Sequence, residues 1–196
     1  MQKKAAHTTF NMVSVDGDTS ANDAAVIIAN GCAGNPMIDS EDSEDYEKFY
    51  GAVYYISECL AKAIAADGEG ASRMIEVNLT GADCEETARL CARSVASSSL
   101  VKAAIHGADA NWGRVLCAMG YSGAQFDPNK VNIFIGDVQV AQNGMGLEFD
   151  EAKATEILKQ KKVKILVKFN IGAAEATAWG CDLTYDYVKI NADYRS

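Results

Sequence analysis

Two acids two positions apart, Asp16 and Asp18, stand with Thr19 at the end of "VSVDGDT". An Asp-x-Asp-x-Thr run directly behind strand-type residues can do phosphoryl transfer. The first carboxylate would attack phosphorus, and the second would handle the proton of the leaving group. That chemistry also needs a divalent cation, and Mg²⁺ takes hard oxygen ligands in near-octahedral array. Further acids for it would come from Gly136-Asp137, behind the strand-like "VNIFI". In a Gly-Asp-x-x-x-Asp pair the second acid would fall on Ala141, and no carboxylate follows until Glu148. The same residues also read as a polar turn, because Asp, Gly, Thr, Ser and Asn satisfy their own backbone in loops.

Other reactive side chains are scattered. Six cysteines sit at 32, 59, 84, 91, 117 and 181, none in a C-x-x-C pair, and His7 and His106 are the two histidines available to partner them. No zinc site is expected from that spacing. Apolar neighbours and the lack of a signal peptide point to buried, reduced thiols in a cytoplasmic protein. Cys84 and Cys91, seven apart, would share one helix face. In "HGADANWGR", His106 to Arg114, the histidine could act as a base, but a lone histidine is more often structural. Asn111 and Arg114 read as braces of a loop or a site wall. With a net charge of −9 and no basic stripe, the chain is a poor candidate for binding a nucleic acid or an anionic membrane surface. No apolar run approaches the ~20 residues of a membrane span.

These side chains need elements to hold them. Phe10 to Asp16 alternates like a strand, and "AAVIIA", Ala24 to Ala29, reads as a short buried strand or helix segment. Asp39 to Ala66 is the clearest helix, with apolar residues at helical spacing and acids crowding its start. Strands are expected from Arg73 ("RMIEVNLTG"), Val131 ("VNIFIGDVQV", a pair or one bent strand), Val163 ("VKILVKFNIG") and Ala173 to Leu183. Helices are expected over Asp83 to Ala96, with Asp83 as a possible cap, and over Phe149 to Lys161. Several strand-to-strand steps lack a helix between them. The fold class is therefore α+β, with antiparallel-rich sheets layered with helices, in one compact unit over 1–196.

Four long segments carry a more specific signal. "FNMVSVDGDTSANDAAVIIANG", "DGEGASRMIEVNLTGA" from Asp67, "SSLVKAAIHGADANWGRVLCAMGYSG" from Ser98 and "TAWGCDLTYDYVKINADYRS" at the C-terminus stand in this order and cover nearly the whole chain. Together they resemble the ornithine acetyltransferase (glutamate N-acetyltransferase) family of arginine biosynthesis. The resemblance implies an N-terminal-nucleophile-like fold. It implies a precursor that cuts itself into α and β chains, with a threonine opening the β chain as nucleophile. Acetyl passes from N-acetylornithine to that threonine and on to glutamate, and some members also use acetyl-CoA. The threonine's own α-amine is the nearest base.

On this resemblance 1–196 is the C-terminal part of the β chain. The nucleophile lies upstream of Met1, so the chain alone is inactive, and Thr8 and Thr9 do not replace it. No catalytic residue, metal or cofactor is then expected within it. Partners implied are the α chain of the same precursor and an α2β2 assembly, in the cytoplasm. Glu69, Asn191 and Ser196 match the family's substrate contacts, and a carboxylate and an amide suit an amino-acid head group. Lys168 stands where many relatives carry an acid. A Mg²⁺-dependent phosphatase of the haloacid-dehalogenase type, using Asp16 and Asp18, is the alternative reading.

Overall fold

The computed structural model describes residues 1–20 and 22–194. Its centre is a seven-stranded mixed sheet. The strands are β1 (Val13–Ser14), β2 (Met74–Ala82), β3 (Asn132–Ile135), β4 (Val138–Gln142), β5 (Met145–Gly146), β6 (Lys162–Lys168) and β7 (Ala174–Cys181), in the spatial order β1-β7-β2-β6-β3-β4-β5. The pairs β2–β7, β3–β6, β3–β4 and β4–β5 are antiparallel, while β1–β7 and β2–β6 are parallel. The antiparallel-rich α+β expectation holds. The strands form one sheet.

Alternation explains the sheet's two faces. In β6, Val163, Ile165 and Val167 are buried, while Lys162, Lys164 and Lys168 point to solvent. Paired residues share a face, so Glu76 of β2 lies beside Trp179 of β7 and Lys164 of β6. Ile75, Val77 and Leu79 fill the opposite face against α3 (Glu85–Ser97), whose Ala88, Cys91, Ala92, Val95 and Ala96 are all fully buried. Small residues there let helix and sheet approach closely. A Cβ on Gly180 would lie 2.9 Å from the Ala96 carbonyl oxygen. Two short helices, α4 (Ser99–His106) and α5 (Trp112–Gly120), continue that layer. On the other face α2 (Glu44–Ala66) crosses β1, β7 and β2, with Lys62 over the Trp179 ring. The remaining α-helices of the described residues are α1 (Gln2–Thr8), α6 (Glu151–Leu158) and α7 (Tyr185–Asp193).

Several expectations need correction. The long helix begins at Glu44, not Asp39. Ser43 is its cap, accepting the Tyr46 N–H at 3.1 Å, and the Ser40 hydroxyl holds the preceding residues in a turn by accepting the Asp42 N–H. Its apolar residues do recur at helical spacing, yet Phe49, Ile56, Leu60 and Ile64 remain exposed. The strand read over Phe10 to Asp16 shrinks to β1, because a 3₁₀ turn takes Phe10–Met12. "AAVIIA" is neither strand nor helix, and Val26 and Ile28 are 74% and 90% exposed. Asp83 does not cap α3. Cys84 takes that position, and the Asp83 carboxylate bonds the Cys84 N–H instead. All six cysteines are free thiols, but Cys32, Cys59, Cys84 and Cys117 are exposed and two, Cys91 and Cys181, are buried. No described helix is long and apolar enough to cross a membrane.

Candidate functional site

The turn Asp67-Gly68-Glu69-Gly70 joins α2 to β2 and packs against the end of β7 and the start of α7. Its glycines are needed for that approach. A Cβ on Gly70, at φ +65°, would stand 2.6 Å from the Tyr187 backbone nitrogen. One on Gly68 would stand 2.6 Å from the Cys181 sulfur. Helix α7 begins because Thr184 caps it, accepting the Tyr187 N–H, and Asp186 sits in its first turn. The same Thr184 hydroxyl donates to the Gly70 carbonyl at 2.6 Å, so cap and turn are one joint.

Glu69 and Asn191 meet across that joint. The Asn191 amide donates to Glu69 Oε2 at 2.7 Å and to the Tyr187 carbonyl at 3.0 Å, although Glu69 and Asn191 are 122 positions apart. Both side chains are exposed. Tyr187 extends the patch, its hydroxyl donating to Asp16 Oδ2 at 3.1 Å. Burial, and then the Asp16 carboxylate behind it, push the Tyr187 phenol above its ordinary range. With both amide N–H groups engaged, the pair presents acceptor oxygens, Glu69 Oε1 and Asn191 Oδ1, which suit the ammonium of an amino-acid head.

Beneath the patch lies a buried polar knot. Asp182, just past β7, is buried with its side chain out of solvent. Its Oδ1 accepts the Ser72 N–H at 2.7 Å and the Arg73 N–H at 2.8 Å. Oδ2 accepts the Ser72 hydroxyl at 2.5 Å and faces His106 Nδ1 at 3.1 Å. Burial pushes the Asp182 carboxyl up, but the Ser72, Arg73 and His106 hydrogen bonds together hold it below the usual carboxylate range. Arg73 ties in the end of α4 by donating to the Ile105 and His106 carbonyls. Lys102, also buried, donates to the Cys181 carbonyl and lies 3.5 Å from its sulfur. Burial drives the Lys102 pKa down against the raising pull of Cys181 and Asp182.

A second buried carboxylate lies on the α2 side of the sheet. Glu76 accepts from Trp179 Nε1 at 3.2 Å and pairs with Lys162 at 2.8 Å, Lys164 at 3.3 Å and Lys62 at 3.9 Å. Here too burial raises the carboxyl pKa, and the lysines and the indole N–H bring it below the ordinary value.

The sequence-read residues fall into place unevenly. Glu69 and Asn191 are brought together, whereas Ser196 lies outside the described residues. Asp16 caps its own loop, Oδ1 accepting the Asp18 N–H at 3.0 Å. Asp137 sits in the β3–β4 turn, paired with Lys153. Between β1 and β3 lie β7, β2 and β6, so Asp16 and Asp137 are separated by four strand steps, roughly 19 Å at 4.8 Å each. The phosphatase reading fails on that distance, and among the described residues no three His, Cys, Asp or Glu side chains are grouped to hold a metal ion. His106 supports Asp182, Asn111 caps α5 by accepting the Arg114 N–H, and Arg114 bonds the Leu100 carbonyl. Thr8 and Thr9 turn their hydroxyls back onto carbonyls of α1. Sequence reasoning missed Asp182, Ser72, Thr184 and Tyr187. Thr184 had a readable signal, a threonine before "YDY" with an acid in the first turn. Asp182 had none.

Comparison with known proteins sharpens this geometry. The ArgJ family matches residues 1–196. A protein of Symbiobacterium thermophilum called "Arginine biosynthesis bifunctional protein ArgJ" is 53% identical over 194 residues, covering 99% of this chain and 48% of its own length. One of the same name from Caldanaerobacter subterraneus is 50% identical over 198 residues, covering 99% and 49%. The chain thus spans about half the length of the curated relatives it matches. The crystal structure of arginine biosynthesis bifunctional protein ArgJ from Bacillus halodurans superposes with a TM-score of 0.94 at 46% identity, over 98% of this chain and 90% of that one.

Proposed function

The chain belongs to the ArgJ family, and from that premise we propose that it forms the C-terminal part of the β chain of an arginine-biosynthesis acetyltransferase. The reaction moves acetyl from N-acetylornithine to glutamate through an acetyl-threonine intermediate. In this reading the threonine that opens the β chain is the nucleophile and lies outside this sequence. The oxyanion hole and the α chain also come from the rest of the precursor. The role of these residues is to grip the amino-acid head group shared by ornithine and glutamate. Glu69 holds its ammonium, and Asn191, whose two N–H groups go to Glu69 and the Tyr187 carbonyl, orients Glu69 and offers its Oδ1 to the same ammonium. Ser196, through the family's pattern, is the third proposed substrate residue.

One observation carries the reading: the 2.7 Å contact between the Asn191 amide and the Glu69 carboxylate, both exposed, on two segments locked together through Thr184 and Gly70. Exposed apolar surface supports the partner. Val26, Ile27 and Ile28, and the Phe49, Ile56, Leu60 and Ile64 face of α2, are surfaces that an α chain and an α2β2 assembly would cover. The proposed location is the cytoplasm.

Glu69→Gln in the processed enzyme tests it. The change keeps size and removes charge, weakening a charge-assisted hydrogen bond worth about 1.5–3 kcal/mol, so kcat/KM falls on the order of tenfold or more in both half-reactions. Precursor cleavage, followed on a gel, stays normal because it uses no substrate. Wild-type transfer in this variant removes Glu69 from the site, and loss of cleavage together with transfer makes it a structural turn acid.

A further inference from the structure

We propose that Asp182 is a positioning residue for the head-group site, holding the Glu69 turn and the start of α7 in one fixed relation. The inference rests on the reading of Glu69 as a substrate contact and extends it to a residue that touches no substrate.

The geometry supplies the reason. Glu69 sits on a turn between a long helix and a central strand, and Asn191 sits on α7, which buries none of its own residues. Tyr185, Val188 and Ile190 of α7 are exposed, so within this chain its place comes from the polar contacts at its start. Asp182 lies two residues before the α7 cap and at the same time receives two N–H groups and a hydroxyl from Ser72 and Arg73, three and four residues past Glu69. Its own N–H goes to the Arg73 carbonyl at 3.0 Å. The carboxylate therefore pins the downstream end of the turn, and Thr184 pins Gly70 beside Glu69. His106 closes the knot from α4, and Tyr185 rests edge-on against its ring. With backbone N–H groups as its main donors, Asp182 has almost no freedom to move. Displacement of the knot moves Glu69 relative to Asn191, and hydrogen bonds weaken steeply with lost alignment.

A double-mutant cycle in the processed enzyme tests this, with Glu69→Gln, Asp182→Asn and the two combined. Asp182→Asn keeps volume but turns an NH₂ group toward donors. The expected result is a raised KM, with kcat/KM lowered roughly fivefold to tenfold, and a double variant no worse than Glu69→Gln alone to within about twofold, as for residues acting through one interaction. Amide exchange of residues 68–73 and 185–188 should quicken in Asp182→Asn. Glu76→Gln, which loses the other buried carboxylate, on the α2 side of the sheet, should lower stability and leave KM unchanged. Where Asp182→Asn does not fold, Ser72→Ala removes one of the four contacts and should raise KM roughly twofold, again without adding to Glu69→Gln. Multiplying losses in the double variant, or wild-type KM with unchanged exchange, overturns the positioning role. A silent Glu69→Gln overturns it differently, by showing that the turn carries no substrate contact.

Discussion

Asp182 and Glu76 are both carboxylates buried at the sheet, and both are held ionised against a burial penalty, yet they are held by opposite means. The donors to Asp182 are two backbone N–H groups, a serine hydroxyl and a histidine ring. Those of Glu76 are three lysines and one indole N–H. Backbone donors fix direction, because they cannot move without moving the chain. Lysine ammonium groups on flexible stems supply charge but little geometry. The rigid arrangement lies under the patch that carries Glu69 and Asn191, while the pliable one lies under α2, where α2 and the sheet need only stay together.

Truncation separates the two most sharply. Asp182→Ala strands two half-buried backbone N–H groups and a hydroxyl, and breaking such a network around a buried charge costs about 3–5 kcal/mol. Glu76→Ala releases lysines that swing into water on their own stems, leaving the Trp179 N–H as the main unsatisfied group, for about 1–3 kcal/mol. Urea unfolding of both variants measures the gap. Equal losses would mean that the Ser72 and Arg73 donors find new partners, and the contrast between rigid and pliable support would fall.

The same contrast governs what could be read from the chain. Local pattern sufficed for β6, where Val163, Ile165 and Val167 alternate with lysines, and for the buried small residues of α3. It failed at Ala24–Ala29, because apolar composition does not say what covers a segment, and Ile28 is 90% exposed. It also failed at Phe10, where a 3₁₀ turn competes with the strand. Glu69 and Asn191 were singled out through family resemblance, but their contact was not legible, since it depends on a tertiary joint between residues 122 apart. Asp182 was illegible by any local rule. Its partner Ser72 is 110 residues away, and an aspartate after a strand reads as an ordinary turn residue.

Acid gives the intermediate effect. The folded pKa of Asp182 is below its unfolded value, so its contribution to stability is fully present above the unfolded pKa, near 3.9, and is lost as pH falls through the folded pKa. Glu76 is lowered too, from an unfolded pKa near 4.3. The stability advantage of wild type over Asp182→Asn should stay flat from about pH 7 to pH 5 and shrink below about pH 4. Denaturation at stepped pH reads it directly. An advantage that persists unchanged at pH 2 would mean that the hydrogen bonds, and not the charge, carry the Asp182 contribution.

Salt should give the smallest effect and the cleanest split. Lys162 and Lys164 are 43% and 57% exposed at the side chain, so water and ions reach their contacts with Glu76. Such pairs contribute about 0.2–1 kcal/mol, and at ~1 M salt the Debye length contracts to about 3 Å, comparable to the contacts themselves. Lys162→Ala should therefore cost a few tenths of a kcal/mol to about 1 at low salt and close to nothing at ~1 M NaCl. Glu76 keeps Lys164, Lys62 and the Trp179 N–H in that variant. Ser72→Ala removes a short hydrogen bond to a carboxylate whose side chain has no solvent exposure. Its cost should be the same at both salt concentrations, because counter-ions cannot enter the knot. Parallel urea titrations of the two variants at both concentrations give the comparison. A Ser72→Ala cost that fades with salt would show the Asp182 knot to be open to ions. In that case its grip on the Glu69 turn would be electrostatic, not geometric.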